Sequence, residues 1–185
     1  LAQYGDISDL KLLKPEDKQD VKSTPPPDGA IVLFDGKNLE QWVSRNDPKK
    51  PAPWKLVDGG AAQAGGGDII TKRTFDGHFK LHVEFRVPYM PQAKGQGRGN
   101  SGVYVQGRYE VQVLDSFGLP PKNNEGGSIY TQTPPSVNMC YPPLQWQTYD
   151  IDFRAARFDP DGKKTADAVV TLVHNGVKVH DAVAI

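Results

Sequence analysis

The chain has 185 residues, with 22 basic against 22 acidic side chains and one cysteine, Cys140. The charge balance favours neither nucleic acid nor an anionic membrane as partner. No apolar run approaches the ~20 residues that span a bilayer, and a lone cysteine excludes an internal disulfide while leaving the redox compartment open. Nineteen Gly, sixteen Pro and short apolar bursts point to many strands joined by turns.

Residues 1–29 are polar and end in Thr24-Pro-Pro-Pro-Asp-Gly29, which predicts an extended N-terminal arm. A short helix over 15–21 is expected within it, with Pro15 in the first turn. The β-domain proper is expected to run from 30 to 185. It opens on the apolar run 30–34, read as a strand, and continues through candidate strands at 54–57 and 69–71. Gly65-Gly-Gly-Asp68 is followed by no helix pattern and no Lys-Ser/Thr, so it is read as a loop rather than a phosphate cradle.

Residues 79–87 alternate: Phe79, Leu81, Val83, Phe85 and Val87 point one way, and Lys80, His82, Glu84 and Arg86 the other. The next two strands place Val103 and Val105, then Tyr109, Val111 and Val113, toward a core. Their other faces carry Tyr104 and Gln106, then Arg108, Glu110 and Gln112. The long Pro-, Gly- and Asn-rich segment 116–145 is read as a functional loop. In 146–154, Gln147, Tyr149, Ile151 and Phe153 form one face, opposite Thr148, Asp150, Asp152 and Arg154. His174-Asn-Gly176 between apolar runs is a hairpin signal, because both turn residues tolerate positive φ. These elements predict an all-β chain, an antiparallel two-sheet sandwich of jelly-roll type.

Three polar faces therefore carry carboxylates. Placed side by side in one sheet, cross-strand neighbours would lie about 5 Å apart and same-face neighbours about 7 Å apart. Carboxyl groups at such spacings can perform glycoside chemistry. Tyr104 and Trp146 share these faces and offer flat rings to sugar C–H surfaces. The plain alternative is a ladder of solvated cross-strand salt bridges. Metal binding is weakly signalled: His78 and His82 on one strand would stand about 13 Å apart. No cofactor is expected, and a divalent ion is left open. Cys140 is read as a small buried hydrophobe.

The segments Phe34-Asp-Gly-Lys-Asn-Leu-Glu-Gln-Trp42, Gly67-Asp-Ile-Ile-Thr71, Asn100-Ser-Gly-Val-Tyr104, Tyr109-Glu-Val-Gln-Val-Leu-Asp115 and Trp146-Gln-Thr-Tyr-Asp-Ile151 resemble the 3-keto-disaccharide hydrolase domain family. The resemblance implies a concanavalin A-like, glucanase-like sandwich, an oligosaccharide or 3-keto-glycoside as partner, and a secreted or periplasmic location. It also implies a further strand beyond Ile185. The run from Glu110 to Asp115 is similar to the Glu-x-Asp-x-x-Glu signature of laminarinase-type hydrolases, with Gln112 in place of the central acid. Retaining hydrolysis needs carboxyls about 5–5.5 Å apart, and Asp115 falls on the opposite parity to Glu110. Elimination next to a C3 ketone fits the residues better, since it needs a base, an acid and an enolate stabiliser. The resulting expectation makes Glu110 the base and Glu84 or Asp152 the proton donor. Arg108, Gln112 and Arg154 would orient the sugar, with Tyr104, Trp146 and His82 completing its binding surface. A non-catalytic carbohydrate-binding module is the second reading, and a protein-interaction domain using 116–145 the third. Oligomeric state is left open.

Overall fold

A computed structural model describes residues 21–185, so the helix expected at 15–21 and most of the arm lie outside the described residues. Packing divides the chain into two compact units, Thr24–Phe75 and Asp76–Ile185.

In the first unit, β1 (Trp42–Ser44) pairs antiparallel with β4 (Ile69–Thr71), and β2 (Lys55–Val57) forms a hairpin with β3 (Ala61–Gln63). The expected strand at 30–34 is absent. Ile31 and Val32 are 49% and 46% exposed. The Leu33 carbonyl accepts the Trp42 indole N–H at 2.7 Å instead of a ladder bond. An apolar run without alternation signals burial but supplies no strand partner, and here none is taken.

The second unit holds β5 (His78–Arg86), a 3-10 turn (Gly95–Gly97), β6 (Ser101–Val105), β7 (Tyr109–Val113) and β8 (Trp146–Arg154), then β9 (Arg157–Phe158), β10 (Lys164–Ala166), β11 (Val169–His174) and β12 (Val177–Ala184). Four strands form an antiparallel sheet in the order β12-β11-β8-β5. The β11–β12 turn falls on Asn175 and Gly176 at φ 49° and 82°, as their tolerance of positive φ predicts.

The apolar faces expected from alternation meet in one core. Phe79, Leu81, Val83 and Phe85 of β5, with Tyr149, Ile151 and Phe153 of β8, pack together with Val105, Val111 and Val113 of the β6–β7 hairpin and Ile129 of the long segment. Tyr109 and Phe153 have ring centroids 6.0 Å apart, and the Tyr149 hydroxyl donates to the Gln112 carbonyl at 2.6 Å. The hairpin thus forms the second layer of the antiparallel β-sandwich. Segment 116–145 adds to that layer as irregular backbone along β7: Gln112 N–H donates to Ser128 O, Gly127 N–H to Gln112 O, and Tyr130 N–H to Glu110 O. Elsewhere the same segment is tied to other strands, with Ser136 N–H donating to the Val179 carbonyl and Leu144 N–H to the Val87 carbonyl. Cys140 is buried, and burial pushes its thiol up to about 12.

His174 is a buried titratable group in this core. Its ring meets Tyr149 edge-on at 4.7 Å, and Nε2 lies 3.1 Å from Gln147 Oε1. Burial pushes its pKa down to about 3. An unfolded-state imidazole titrates near 6.5, so the unfolded chain binds the extra proton between these values. The contribution to stability is complete above pH 6.5 and is lost as pH falls toward 3. Denaturant titrations should show His174 costing about 2–3 kcal/mol between pH 6.5 and 4.5, from about 1.4 kcal/mol per pH unit. His174→Leu should flatten that slope while Gln147 Oε1 keeps its bond from Tyr141 N–H. An unchanged slope in the variant would assign the acid sensitivity to another group.

Candidate functional site

Only two of the three polar faces adjoin. The pairing places β5 beside β8, whereas β6 and β7 pair with each other in the opposite layer. Both layers turn their apolar sides inward, so their polar sides face away from one another across the sandwich.

One outer face, on β5 and β8, collects His82, Glu84, Trp146, Asp152 and Arg154. Here imidazoles and carboxylates pair, largely across the two strands, with Lys80 Nζ 4.0 Å from Asp152 Oδ2. His82 Nδ1 lies 2.6 Å from Asp150 Oδ1 and its Nε2 3.3 Å from Glu84 Oε1. His78 Nε2 contacts Asp152 Oδ1 at 2.8 Å, and Arg86 stacks over the Trp146 ring at 5.2 Å. Burial works against a charge on His82. The hydrogen bonds to Asp150 and Glu84 and the charges of these carboxylates outweigh it, and its pKa is raised. Asp152 and Arg154 border a recess of about 110 Å³ with Val169, Thr171 and Ala182.

The other outer face belongs to the hairpin. Tyr104 stands directly opposite Glu110, and Gly102 opposite Gln112. The Tyr104 hydroxyl donates to Glu110 Oε2 at 2.7 Å, while the ring remains 47% exposed. Glu110 is half-buried and Arg108, at the hairpin turn, is exposed. Stacked sheets lie about 10 Å apart before outward side chains are added. Glu84 and Asp152 therefore do not reach a substrate held at Glu110, and the expected pairing of Glu110 with either as proton donor is corrected by the strand order.

Gln112 lies on the outer side of β7 as expected but is 1% exposed rather than solvent-facing. The turn at 95–97 covers it: Gln112 Nε2 donates to Gln96 Oε1 at 2.8 Å, and Gln96 Nε2 donates to Asn124 O at 2.8 Å. Asn100 Nδ2 donates to the Gln96 carbonyl at 2.9 Å. Sequence reasoning passed over Gln96, which sits in an aperiodic loop with no neighbouring pattern to mark it. Below this group, Arg98 Nη2 and Asp115 Oδ2 form a 2.6 Å ion pair, 6% and 3% exposed. Asp115 is thus committed to Arg98 at the open end of the hairpin.

Among the described residues no three His, Cys, Asp or Glu side chains converge as a metal site, and no helix is long and apolar enough to cross a membrane. Within the Thr24–Phe75 unit, Leu39, Trp42, Val43, Lys49, Lys50 and Lys72 contribute to an open cleft of about 440 Å³.

Comparison with known proteins agrees with this architecture. The chain is 36% identical to a Parabacteroides distasonis protein of known structure described as a candidate glycosyl hydrolase, with a TM-score of 0.79 over 93% of this chain and 79% of that one. A second such protein from the same organism, 19% identical with a TM-score of 0.55 over 81% of this chain and 70% of that one, shares the fold. A curated relative from Bacteroides thetaiotaomicron, named 3-keto-disaccharide hydrolase, is 27% identical over 181 residues; the match spans 78% of this chain and 59% of the relative's length. Residues 29–185 match the 3-keto-alpha-glucoside-1,2-lyase-like domain. The chain belongs to the 3-keto-alpha-glucoside-1,2-lyase-like domain family, a carbohydrate-active β-sandwich family.

Proposed function

We propose that this chain cleaves 3-keto-glycosides, using Glu110 as the general base on the outer face of the β6–β7 hairpin. The observation that carries the reading is the Glu110 carboxylate, held at one oxygen by the Tyr104 hydroxyl with the exposed Tyr104 ring beside it. A ketone at C3 acidifies the C2 hydrogen. Glu110 removes that proton, the electron pair passes through the enolate to form the C1–C2 double bond, and the C1–O bond breaks. The departing oxygen takes up one proton, which balances the proton gained by the carboxylate. Subsequent addition of water to the double bond makes the net change a hydrolysis. Elimination followed by hydration thereby accounts for both the lyase-like family and the hydrolase name of the Bacteroides relative. Direct double displacement is disfavoured, because position 112 is an amide and Asp115 is engaged by Arg98.

The test compares a 3-keto-disaccharide, its unoxidised parent, and the 3-keto sugar deuterated at C2. Cleavage confined to the keto sugars, and slowed by deuterium, is expected. Equal cleavage of the unoxidised parent would overturn the proposal. The exposed Tyr104 ring also suits a non-catalytic sugar-binding surface, and that second reading expects binding of the sugar with no cleavage.

A further inference from the structure

Glycine inside a strand is unfavourable, because it loses more backbone freedom than other residues and packs no side chain. Gly102 lies within β6, yet its φ is outside the positive region where glycine is needed. Its backbone conformation therefore admits alanine. The space above it does not. A Cβ at Gly102 would stand 2.7 Å from Glu110 Cδ and 2.8 Å from Cγ, and would overlap Oε1.

The register explains the overlap. Glu110 stands opposite Tyr104, and residues 102 and 104 share the outer face of β6. From position 110 the side chain leans diagonally along the hairpin. One oxygen meets the Tyr104 hydroxyl and the other lies over Gly102. The tyrosine hydroxyl and the missing Cβ together define where the carboxylate rests.

We infer that Gly102 is a positioning residue for Glu110: its bare Cα is the berth that lets the carboxylate lie flat on the hairpin within reach of Tyr104. The inference rests on the reading of Glu110 as base. It adds that the glycine is required for the placement of that base and not for the strand. Displacement of a catalytic group by about 1 Å lowers rates by up to about 10²-fold.

Gly102→Ala should accordingly lower kcat on a 3-keto-disaccharide by about 10- to 100-fold with KM little changed. Glu110→Asp, one methylene shorter, should reduce activity when residue 102 is glycine and restore part of it when residue 102 is alanine. A purely structural role for Gly102 would not reverse the sign of that second substitution. Thermal unfolding supplies a readout independent of activity. Any loss of Tm caused by Gly102→Ala should vanish when Glu110 is also changed to Ala, because the overlapping atoms are gone. A loss of Tm that persists, or full activity of Gly102→Ala beside an inactive Glu110→Gln, would overturn the inference while leaving the base in place. An active Glu110→Gln would instead overturn the reading of the base itself.

Discussion

Glu110→Gln should reduce 3-keto-glycoside cleavage by about 10²- to 10⁴-fold, the usual contribution of a positioned general base. The substitution is nearly isosteric. The new amide oxygen can still accept from the Tyr104 hydroxyl, which now donates to Glu110 Oε2 at 2.7 Å. The backbone carbonyl at position 110 keeps its bond from Tyr130 N–H. Stability should therefore change little, and the loss should fall on kcat because an amide does not take the C2 proton. Steady-state kinetics beside a thermal melt separate the two effects. Undiminished turnover by a folded Glu110→Gln protein would remove Glu110 from the mechanism.

Arg98→Ala should destabilise the fold by about 3–5 kcal/mol, the cost of stranding one charge of a buried ion pair. Arg98 precedes β6 and Asp115 follows β7, and their side chains meet at 2.6 Å with almost no exposure. Asp115 N–H also donates to the Arg98 carbonyl at 3.0 Å, so the open end of the hairpin is clamped by main chain and side chain together. Removing the guanidinium leaves the Asp115 carboxylate buried without its counter-charge. Replacing both residues with apolar ones of similar size, as in Arg98→Met with Asp115→Leu, should recover most of the loss. Urea unfolding of the two single variants and the double variant measures the coupling. Additive losses would show that the pair does not act as a unit.

Much of the core was legible as period-2 alternation. Phe79 to Phe85 and Tyr149 to Phe153 face inward as their spacing requires, because successive strand side chains point to opposite sides. The Asn175-Gly176 turn was readable for an equally local reason. The shared face of Tyr104 and Glu110 was readable too, and it became a hydrogen bond. Alternation misled where burial came from elsewhere: Gln112 occupies an outward position but is roofed by Gln96, sixteen residues earlier. It failed for residues 30–34, whose apolar character specified no pairing partner.

The sequence by itself determined which residues turn toward a core, where one hairpin closes, and, through its motifs, the family to which the chain belongs. Only the tertiary structure decided which polar faces adjoin. Alternation is a property of one strand, whereas strand order depends on pairings among residues far apart in the chain. β5 and β8 pair across a separation of about seventy residues, as His82 and Asp150 show at 2.6 Å. That long-range choice set Glu84 and Asp152 among the imidazoles of His82 and His78. It left Glu110 with Tyr104 and Gly102 on the opposite side of the sandwich.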